Sequence, residues 1–417
     1  MIKFLNKNFR SIDNKDKFFF VILTIFPLSL VIGNTIINLI FFSAIISFFI
    51  NFNDASKYFK NEIIIIFFFF FLTLIINVFF SIDPINSLPR VLKILVVLIF
   101  IIEIMRLFNK YDFSLLENIF KIWTLIFFII LIDVFFELYF GFNTIGFKST
   151  LPTRVASFFG DELVVGAFIH GFALFTISYL AFKKTNNLIL ISVILLIIIG
   201  SFLIGERSNF IKLIISIFLF SVLALKIKNQ YKLSAMFLII ILLGASLSFN
   251  EKMKYRYYYE LESLFKKDGI EKYFKSSQYG AHQNTAFNIF KDYPLFGVGI
   301  KNFRFESNKE KYLNKEYEQA NVSVATHPHQ THLEFLSETG LFGYCSFLFL
   351  ILYTLVKSIN SFIKNRNIFQ LSAIIYIFSI MIPLLPSGSF LSTFNSAIIW
   401  INFAIMVGLN KNSKFKF

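Results

Sequence analysis

The sequence predicts an all-α, polytopic membrane protein with about twelve transmembrane helices and one large loop. Hydrophobic residues make up 56% of the 417 residues and charged residues only 16%, whereas soluble domains carry about 25% charged residues. The apolar residues fall in runs of about 20, which is the length of a helix that crosses a bilayer. This composition excludes a soluble enzyme, a disordered chain and a disulfide-stapled scaffold, and the single cysteine can form no intrachain disulfide.

The predicted spans divide the chain into three regions. Residues 1–249 hold the first nine spans, residues 250–333 form the large, partly helical loop, and residues 334–417 hold three further spans and a tail. The basic N-terminal segment runs into a long apolar stretch with no small-residue cleavage site, so we expect no cleavable signal peptide. The individual spans are predicted near residues 18–32, 35–50, 61–80, 90–108, 119–138, 161–182, 187–204, 208–227, 231–249, 334–356, 367–384 and 390–408.

Lysine and arginine are distributed asymmetrically between the segments that connect the spans. If the N-terminus is cytoplasmic, the cytoplasmic segments carry 21 of these residues and the short segments on the other side carry six. This asymmetry predicts that both termini are cytoplasmic and that the loop at 250–333 faces the outside. The same rule accounts for much of the net charge of +15, so we expect membrane lipids and not nucleic acid as partners.

The densest polar motif lies at the end of the large loop and contains His327, His329 and His332. Pro328 predicts a helix start just after it, which places His329 in the first turn of the next span, at the outer membrane face. A neutral imidazole there can accept a proton from a hydroxyl. Two alternatives stay open, namely an interfacial histidine bonded to nearby backbone and a zinc site made by the three histidines. No cysteine pair, aspartate cluster or His-Glu-x-x-His pattern supports zinc.

Two arginines lie beside predicted spans on the same outer side. Arg207 lies two residues after Gly205 in a tight turn between two apolar segments. Ionisable residues at membrane depth are usually functional, because burying their charge there is costly. A guanidinium suits the oxygen pair of a phosphate, so Arg207 is a candidate phosphate ligand and Arg154 a second one. The alternative for Arg207 is snorkelling to the interface with Glu206 as a local counter-ion.

Two other ionisable residues in or near predicted spans are expected to be structural. Interfacial solvation suffices for Glu137, near the outer end of its span, and His170 is expected to be a satisfied contact inside the bundle. The sequence has no Asp-x-Asp pair, no Gly-x-x-x-x-Gly-Lys phosphate loop and no Gly-x-Ser-x-Gly elbow. Nucleotide-driven chemistry is therefore not expected.

Taken in order, the motifs resemble those of the O-antigen ligase and polymerase superfamily of bacterial inner-membrane proteins. The ligase signature is His, then Asn, Ser or Gln, nine residues, Gly, two residues, and Gly or a similar residue. The chain matches this signature with His329, Gln330, Gly340 and Gly343, and His327 precedes it. Three further segments resemble family motifs: Pro294–Gly299, with Gly297 and Gly299, the Gly-x-Arg turn at Gly205–Arg207, and Arg154–Glu162.

The resemblance implies glycosyl transfer at the periplasmic face of the inner membrane, with no metal and no cofactor. The donor is implied to be a glycan on undecaprenyl diphosphate, and the acceptor is lipid A–core for a ligase or a lipid-linked repeat unit for a polymerase. By motif match, His329 is the essential histidine and Arg207 the arginine on the diphosphate side. Many members carry an arginine ahead of the Pro-Leu-Phe-Gly motif, where this chain has His282. The candidates for a second phosphate ligand are therefore His282, Arg154, Arg256 and Arg304.

Three functions stay open at this stage. The complete His-Gln signature favours a ligase over a polymerase. A transporter or glycolipid flippase is the alternative from another class, but transporters place their polar sites near the bilayer midplane. The polar motifs of this chain cluster at the outer face, which favours an enzyme.

Overall fold

The computed structural model describes residues 11–225, 251–259, 277–313, 324–383 and 385–410, with isolated positions between 230 and 248. The secondary structure of this part of the chain is helical and contains no strand, which confirms the predicted all-α class. The α-helices are α1 (Asn14–Thr24), α2 (Phe26–Ile32), α3 (Asn34–Ile50), α4 (Phe52–Ala55), α5 (Glu62–Phe79), α6 (Pro84–Lys110), α7 (Phe113–Phe140), α8 (Val165–Phe182), α9 (Asn187–Leu203), α10 (Arg207–Leu223), α11 (Glu251–Lys254), α12 (Gln278–Asp292), α13 (Phe303–Glu306), α14 (Thr331–Asn365), α15 (Ile368–Ile380) and α16 (Thr393–Gly408).

Several of these helices are suited to a membrane. Helices α5, α7, α8 and α14 are long and apolar enough to span it, and α3 with the segment Phe52–Lys60, bent by 94°, adds a fifth candidate span. Helices α9, α15 and α16 are shorter and apolar. The chain is therefore a multi-pass membrane protein, whereas the count of about twelve spans stays a prediction. The span predicted at 231–249 falls largely outside the described residues.

Local sequence explains where several helices begin. Asp83 accepts a hydrogen bond from Asn86 N, and Pro84 follows it as the first residue of α6. Asn186 and Asn367 cap α9 and α15 in the same way. Short polar side chains satisfy the backbone N–H groups that a helix start leaves open, and proline fits the first position because its missing N–H is not needed there.

In the described part of the chain, the helices pack around a large aromatic core, and a smaller hydrophobic cluster lies beside it. Trp123, Trp400 and many phenylalanines are fully buried in the main core, and Trp123 Nε1 donates to Leu23 O at 3.0 Å. A second cluster of Ala286, Ile289, Val298, Phe303 and Tyr312 lies under the loop helices. The loop segments that carry the polar motifs therefore have a hydrophobic base of their own.

A buried ionic network ties α1, α3 and α6 together. Arg106 contacts Asp16 at 2.7 Å and Glu103 at 2.8 Å, and all three side chains are almost completely buried. Ser47 Oγ on α3 donates to Glu103 at 2.6 Å, and Lys110 contacts Asp16 at 2.8 Å. Burying these charges is tolerated because each has a partner of opposite charge and a hydrogen bond.

Candidate functional site

The histidine motif ends immediately before a helix. Helix α14 begins at Thr331, where the Gln330 side chain caps it by accepting a hydrogen bond from Leu333 N at 2.6 Å. The prediction that His329 lies in the first helical turn is therefore wrong. His329 has a φ of 55°, which is uncommon for residues other than glycine. Its carbonyl accepts a hydrogen bond from Ser387 N at 2.8 Å, a contact that helps to hold this conformation.

Helix α14 is broken at Gly340, whose φ of 61° and ψ of −169° are not helical. The motif segment Pro294–Gly299 runs beside the break and supplies partners for backbone groups that the break leaves open. A nine-residue half-helix, 331–339, is thereby joined to the long membrane helix that follows. Four hydrogen bonds make the junction: Leu341 N to Pro294 O at 2.8 Å, Phe342 N to Leu295 O at 3.1 Å, Val298 N to Ser337 O at 3.0 Å and Gly299 N to Glu338 O at 2.8 Å.

The glycines of the two motifs meet at this junction. A Cβ at Gly340 would collide with the Leu295 carbonyl and lie 2.5 Å from Phe296 N. Gly297 N donates to Tyr293 O at 3.0 Å and closes the turn of the motif segment. The carbonyl of Gly343 accepts a hydrogen bond from Ser346 Oγ at 2.8 Å. These glycines shape the backbone around the site and contribute no chemical group of their own.

Polar side chains anchor the motif segment to α5 and α6. The fully buried Asn302 donates to Ser81 Oγ at 2.5 Å and to Ser87 Oγ at 3.1 Å. Asn77 Nδ2 donates to Phe296 O at 2.5 Å, and the Phe296 ring stacks on Phe80 at 4.0 Å. The loop therefore cannot shift along α14 without losing these contacts as well.

Three imidazoles gather at the start of α14. The ring centroids of His327 and His329 are 4.0 Å apart, and His282 on α12 stacks on His329 at 5.2 Å with an interplanar angle of 24°. Tyr279, one helical turn before His282, lies 4.9 Å from the His329 ring. His282, one of the predicted candidates for the second phosphate ligand, therefore lies in direct ring contact with His329.

His327 and His329 are both held neutral at physiological pH. Burial lowers the pKa of His329 to about 4, with smaller contributions from the neighbouring His282 and Arg154. Burial also lowers the pKa of His327 to about 3, with His329, Lys301, His282 and Arg304 as the nearby bases and cations. A charged imidazolium is disfavoured in both positions because desolvation and neighbouring cations act in the same direction. Each ring therefore keeps a nitrogen lone pair that can accept a proton.

Buried carboxylates hold the segment that carries Arg154. Glu137 accepts hydrogen bonds from Ala156 N at 3.1 Å and Ser157 N at 2.5 Å, while Asp133 accepts from Ser157 Oγ at 2.6 Å. Glu137 is 5% exposed, so the prediction that interfacial solvation suffices for it is wrong. The two acids fix Ser157, whose φ of 49° is strained, and thereby position Arg154 three residues earlier.

The turn before Arg207 packs against the Arg154 segment. Val155 N donates to Ile204 O at 3.2 Å, and a Cβ at Gly205 would collide with Thr153 O. Glu206 accepts hydrogen bonds from Gly166 N at 2.9 Å and Asn209 Nδ2 at 2.7 Å. The two predicted phosphate ligands therefore belong to adjoining backbone segments, and Arg207 is the first residue of α10.

The segment between α15 and α16 links α10 to the histidines. Ser208 Oγ donates to Pro386 O, Lys212 Nζ donates to the same carbonyl at 3.0 Å, and the next residue, Ser387, bonds to His329. The sequence prediction treated this segment only as the gap between two spans. Its composition, Pro-Ser-Gly-Ser, is the sequence signal that indicates a polar turn here.

A buried ion pair supports the same segment from below. Glu334 on the half-helix accepts hydrogen bonds from Phe390 N at 2.8 Å and from Ser389 Oγ. Lys301 Nζ donates to Ser389 Oγ at 2.5 Å and lies 3.9 Å from Glu334. The sequence prediction misses both charged residues, because Glu334 occupies one of the nine unspecified positions of the histidine signature and Lys301 follows the motif segment Pro294–Gly299.

The other candidate residues divide between the site and its surroundings. Arg304, on α13, is close enough to His327 to lower its pKa, and its Nε is buried without a hydrogen-bond partner among the described residues. The side chain of Arg256 lies outside the described residues. His332 is held elsewhere, with Nδ1 2.9 Å from Tyr344 Oη and Nε2 2.9 Å from Met381 O. The three motif histidines therefore do not converge on one point, and no group of three potential metal ligands occurs in the described ranges.

His170 lies in the bundle, away from these residues. Its Nε2 is 2.9 Å from Ser379 Oγ, and its ring lies 4.9 Å from the Tyr376 ring. This arrangement confirms the predicted contact between helices.

Part of the chain is similar to a known protein family. Residues 190–348 match the family model described as O-Antigen ligase. The matched region includes the Gly205–Arg207 turn, the Pro294–Gly299 segment and the complete His329–Gly343 signature. No curated protein matches the chain.

Proposed function

Because residues 190–348 match the O-antigen ligase family model, we propose that the chain is a member of the O-antigen ligase and polymerase superfamily and a membrane glycosyltransferase of the ligase type. The proposed reaction moves a glycan from undecaprenyl diphosphate to lipid A–core at the periplasmic face of the inner membrane. One observation carries this proposal: neutral His329 lies in ring contact with His282 and within electrostatic range of Arg154. A proton acceptor and phosphate-binding cations are the two groups that such a transfer needs.

The cations would stabilise the leaving group. When the bond between the anomeric carbon and the phosphate oxygen breaks, negative charge develops on the diphosphate. Arg207 and Arg154, on adjoining backbone segments, are the proposed guanidinium partners, and His282 adds an N–H donor where many relatives carry arginine. Preorganised side-chain cations would act here in place of a metal ion.

His329 would activate the acceptor. As the acceptor oxygen attacks the anomeric carbon from the side opposite the diphosphate, its proton passes to the free nitrogen of the imidazole. The configuration at this carbon inverts, and the diphosphate leaves with the electron pair of the broken bond. A bound diphosphate raises the pKa of a nearby imidazole, because a negative charge favours the imidazolium form. His329 therefore becomes a stronger base once the donor is in place.

The proposal can be tested in a strain that lacks the gene. Plasmid-borne wild-type protein should restore glycan attached to lipid A–core on a gel, whereas Arg207→Ala and His329→Ala should restore none at normal membrane abundance. Arg90→Ala and His332→Gln are matched controls, since Arg90 is exposed at the start of α6 and His332 is bonded elsewhere. Full activity of either site variant would contradict its assigned role.

The same strain separates the alternative functions. Loss of all attached chains indicates a ligase, while a single attached repeat unit indicates a polymerase. Movement of a labelled glycolipid across vesicles, without a new glycosidic bond, would instead support a transporter. Transfer by purified protein should also survive chelation of divalent cations with EDTA, because the proposed leaving-group partners are side chains.

A further inference from the structure

His327 connects the buried imidazoles to the surface. Its ring contacts His329 at a centroid distance of 4.0 Å. Its Nδ1 lies 3.0 Å from the Oγ1 of Thr326, which is exposed. Its Nε2 is buried and has no hydrogen-bond partner among the described residues. One nitrogen of this ring therefore reaches the protein surface through a hydroxyl, while the other stays inside the cluster.

The proposed transfer leaves a proton that must be removed. Each turnover deposits the acceptor proton on His329, and the base cannot act again until that proton departs. His282 and Tyr279 cover other parts of the His329 ring, and the bound donor would occupy the side of Arg154. The remaining ring contact of His329 in the described part of the chain is His327.

We propose that His327 is a positioning residue that relays this proton from His329 to Thr326 and then to solvent. The inference rests on the proposed function, because it assumes that His329 receives a proton. His329 releases one proton to a nitrogen of His327, and His327 releases one proton from its other nitrogen towards the hydroxyl of Thr326. Both rings return to the neutral form, so the relay needs no further reactant.

The charges around the two rings favour departure of the proton. Arg154 and His282 face His329, while Lys301, Arg304, His282 and His329 face His327. Two buried acids adjoin this set at Lys301: Glu334 lies 3.9 Å from Lys301 Nζ, and Glu338 lies within electrostatic range of the same lysine. Neighbouring cations disfavour a stored imidazolium, so after the diphosphate leaves, the proton is driven outwards and not retained.

The test replaces the imidazole of His327 with an aromatic ring that has no nitrogen. Washed membranes with wild-type protein or His327→Phe are mixed with lipid extract from the deletion strain, which supplies both donor and acceptor. We expect His327→Phe to slow transfer about 100-fold, at the lower end of the range that is typical for a lost proton-transfer group. Added imidazole should restore much of the rate, because a small diffusible base can take the proton from His329.

Controls separate a relay from a packing role. His327→Asn retains a hydrogen-bonding group near Thr326 but cannot relay, so it should also be slow and be rescued by imidazole. His332→Gln should show no rescue. Unchanged transfer in His327→Phe, or slow transfer that imidazole does not restore in either variant, would overturn the relay. Absence of transfer by wild-type membranes would instead count against the proposed function.

Discussion

Replacing Gly340 with alanine tests whether the junction between the broken helix and the motif segment holds the site together. The added Cβ would collide with the Leu295 carbonyl and approach Phe296 N to 2.5 Å. These neighbours are backbone atoms, so no side-chain rotation relieves the clash. The motif segment must move away from α14, and the hydrogen bonds from Leu341 N and Phe342 N are the first to break.

The magnitude follows from two separate contributions. Alanine in the left-handed conformation of Gly340 costs about 1–3 kcal/mol in backbone strain. Loss of two backbone hydrogen bonds adds about 0.5–1.5 kcal/mol each. The sum, about 2–6 kcal/mol, is a large fraction of the free energy that keeps a typical protein folded.

Gly160 provides a matched control for the strain. Its φ of 56° and ψ of −138° resemble those of Gly340, but a Cβ there would meet no atom within 4 Å. Gly160→Ala should therefore show the strain alone, about 1–3 kcal/mol. Gly340→Ala should unfold at a lower temperature than Gly160→Ala in detergent and should attach less glycan in cells. Equal melting temperatures for the two variants would refute the argument that the motif segment supports the break.

Three further predictions concern the loop, the histidines and the topology. Glu137→Gln should lose about 1.5–3 kcal/mol of stability and most of the transfer activity. Glu117→Gln, on the same helix and paired with the exposed Lys183, should lose little. Equal effects of the two substitutions would contradict the anchoring role of Glu137. The contribution of His327 to thermal stability should be fully present above pH 6.5 and be lost progressively as the pH falls from 6.5 towards 3, because the folded protein lowers the pKa of His327 to about 3 and the unfolded chain takes up the proton at about 6.5. His327→Phe should therefore lose less stability than the wild type between pH 6.5 and 5, and an equal loss in the two proteins would exclude His327 as a cause. The orientation can be tested in a protein whose single cysteine is replaced by serine. A membrane-impermeant maleimide should label Thr326→Cys in intact spheroplasts but should label Lys57→Cys only after permeabilisation. The reverse pattern would contradict the predicted orientation.

The residue types that make up the site could be predicted from sequence, but their roles only in part. Runs of apolar residues determine the helices, since a run of about 20 permits little else in a membrane. The histidine motif also indicated a proton acceptor near a helix start. The helix begins at Thr331, two residues after the predicted start at His329, because the Gln330 side chain, and not Pro328, determines where it begins.

Contacts between distant segments could not be predicted in this way. Glu137 and Ser157 are 20 residues apart, and Lys301 and Ser389 are 88 residues apart. Periodicity and capping patterns report neighbours within a few positions, so a single sequence contains no signal for such pairs. In the sequence alone, a buried acid such as Glu137 therefore has the same pattern as an interfacial one.

The spacing of the histidine signature now has a geometric meaning. The nine residues between Gln330 and Gly340 form the half-helix 331–339, which is about 14 Å long at 1.5 Å per residue. One end of this half-helix is capped beside His329, and the other is fixed by the motif segment at the break. One residue more or fewer would rotate one end relative to the other by about 100°. His329 would then no longer face both His282 and Ser387, which are held by α12 and by the segment before α16. The signature therefore encodes a distance and an angle between a proton acceptor and the backbone junction that holds it.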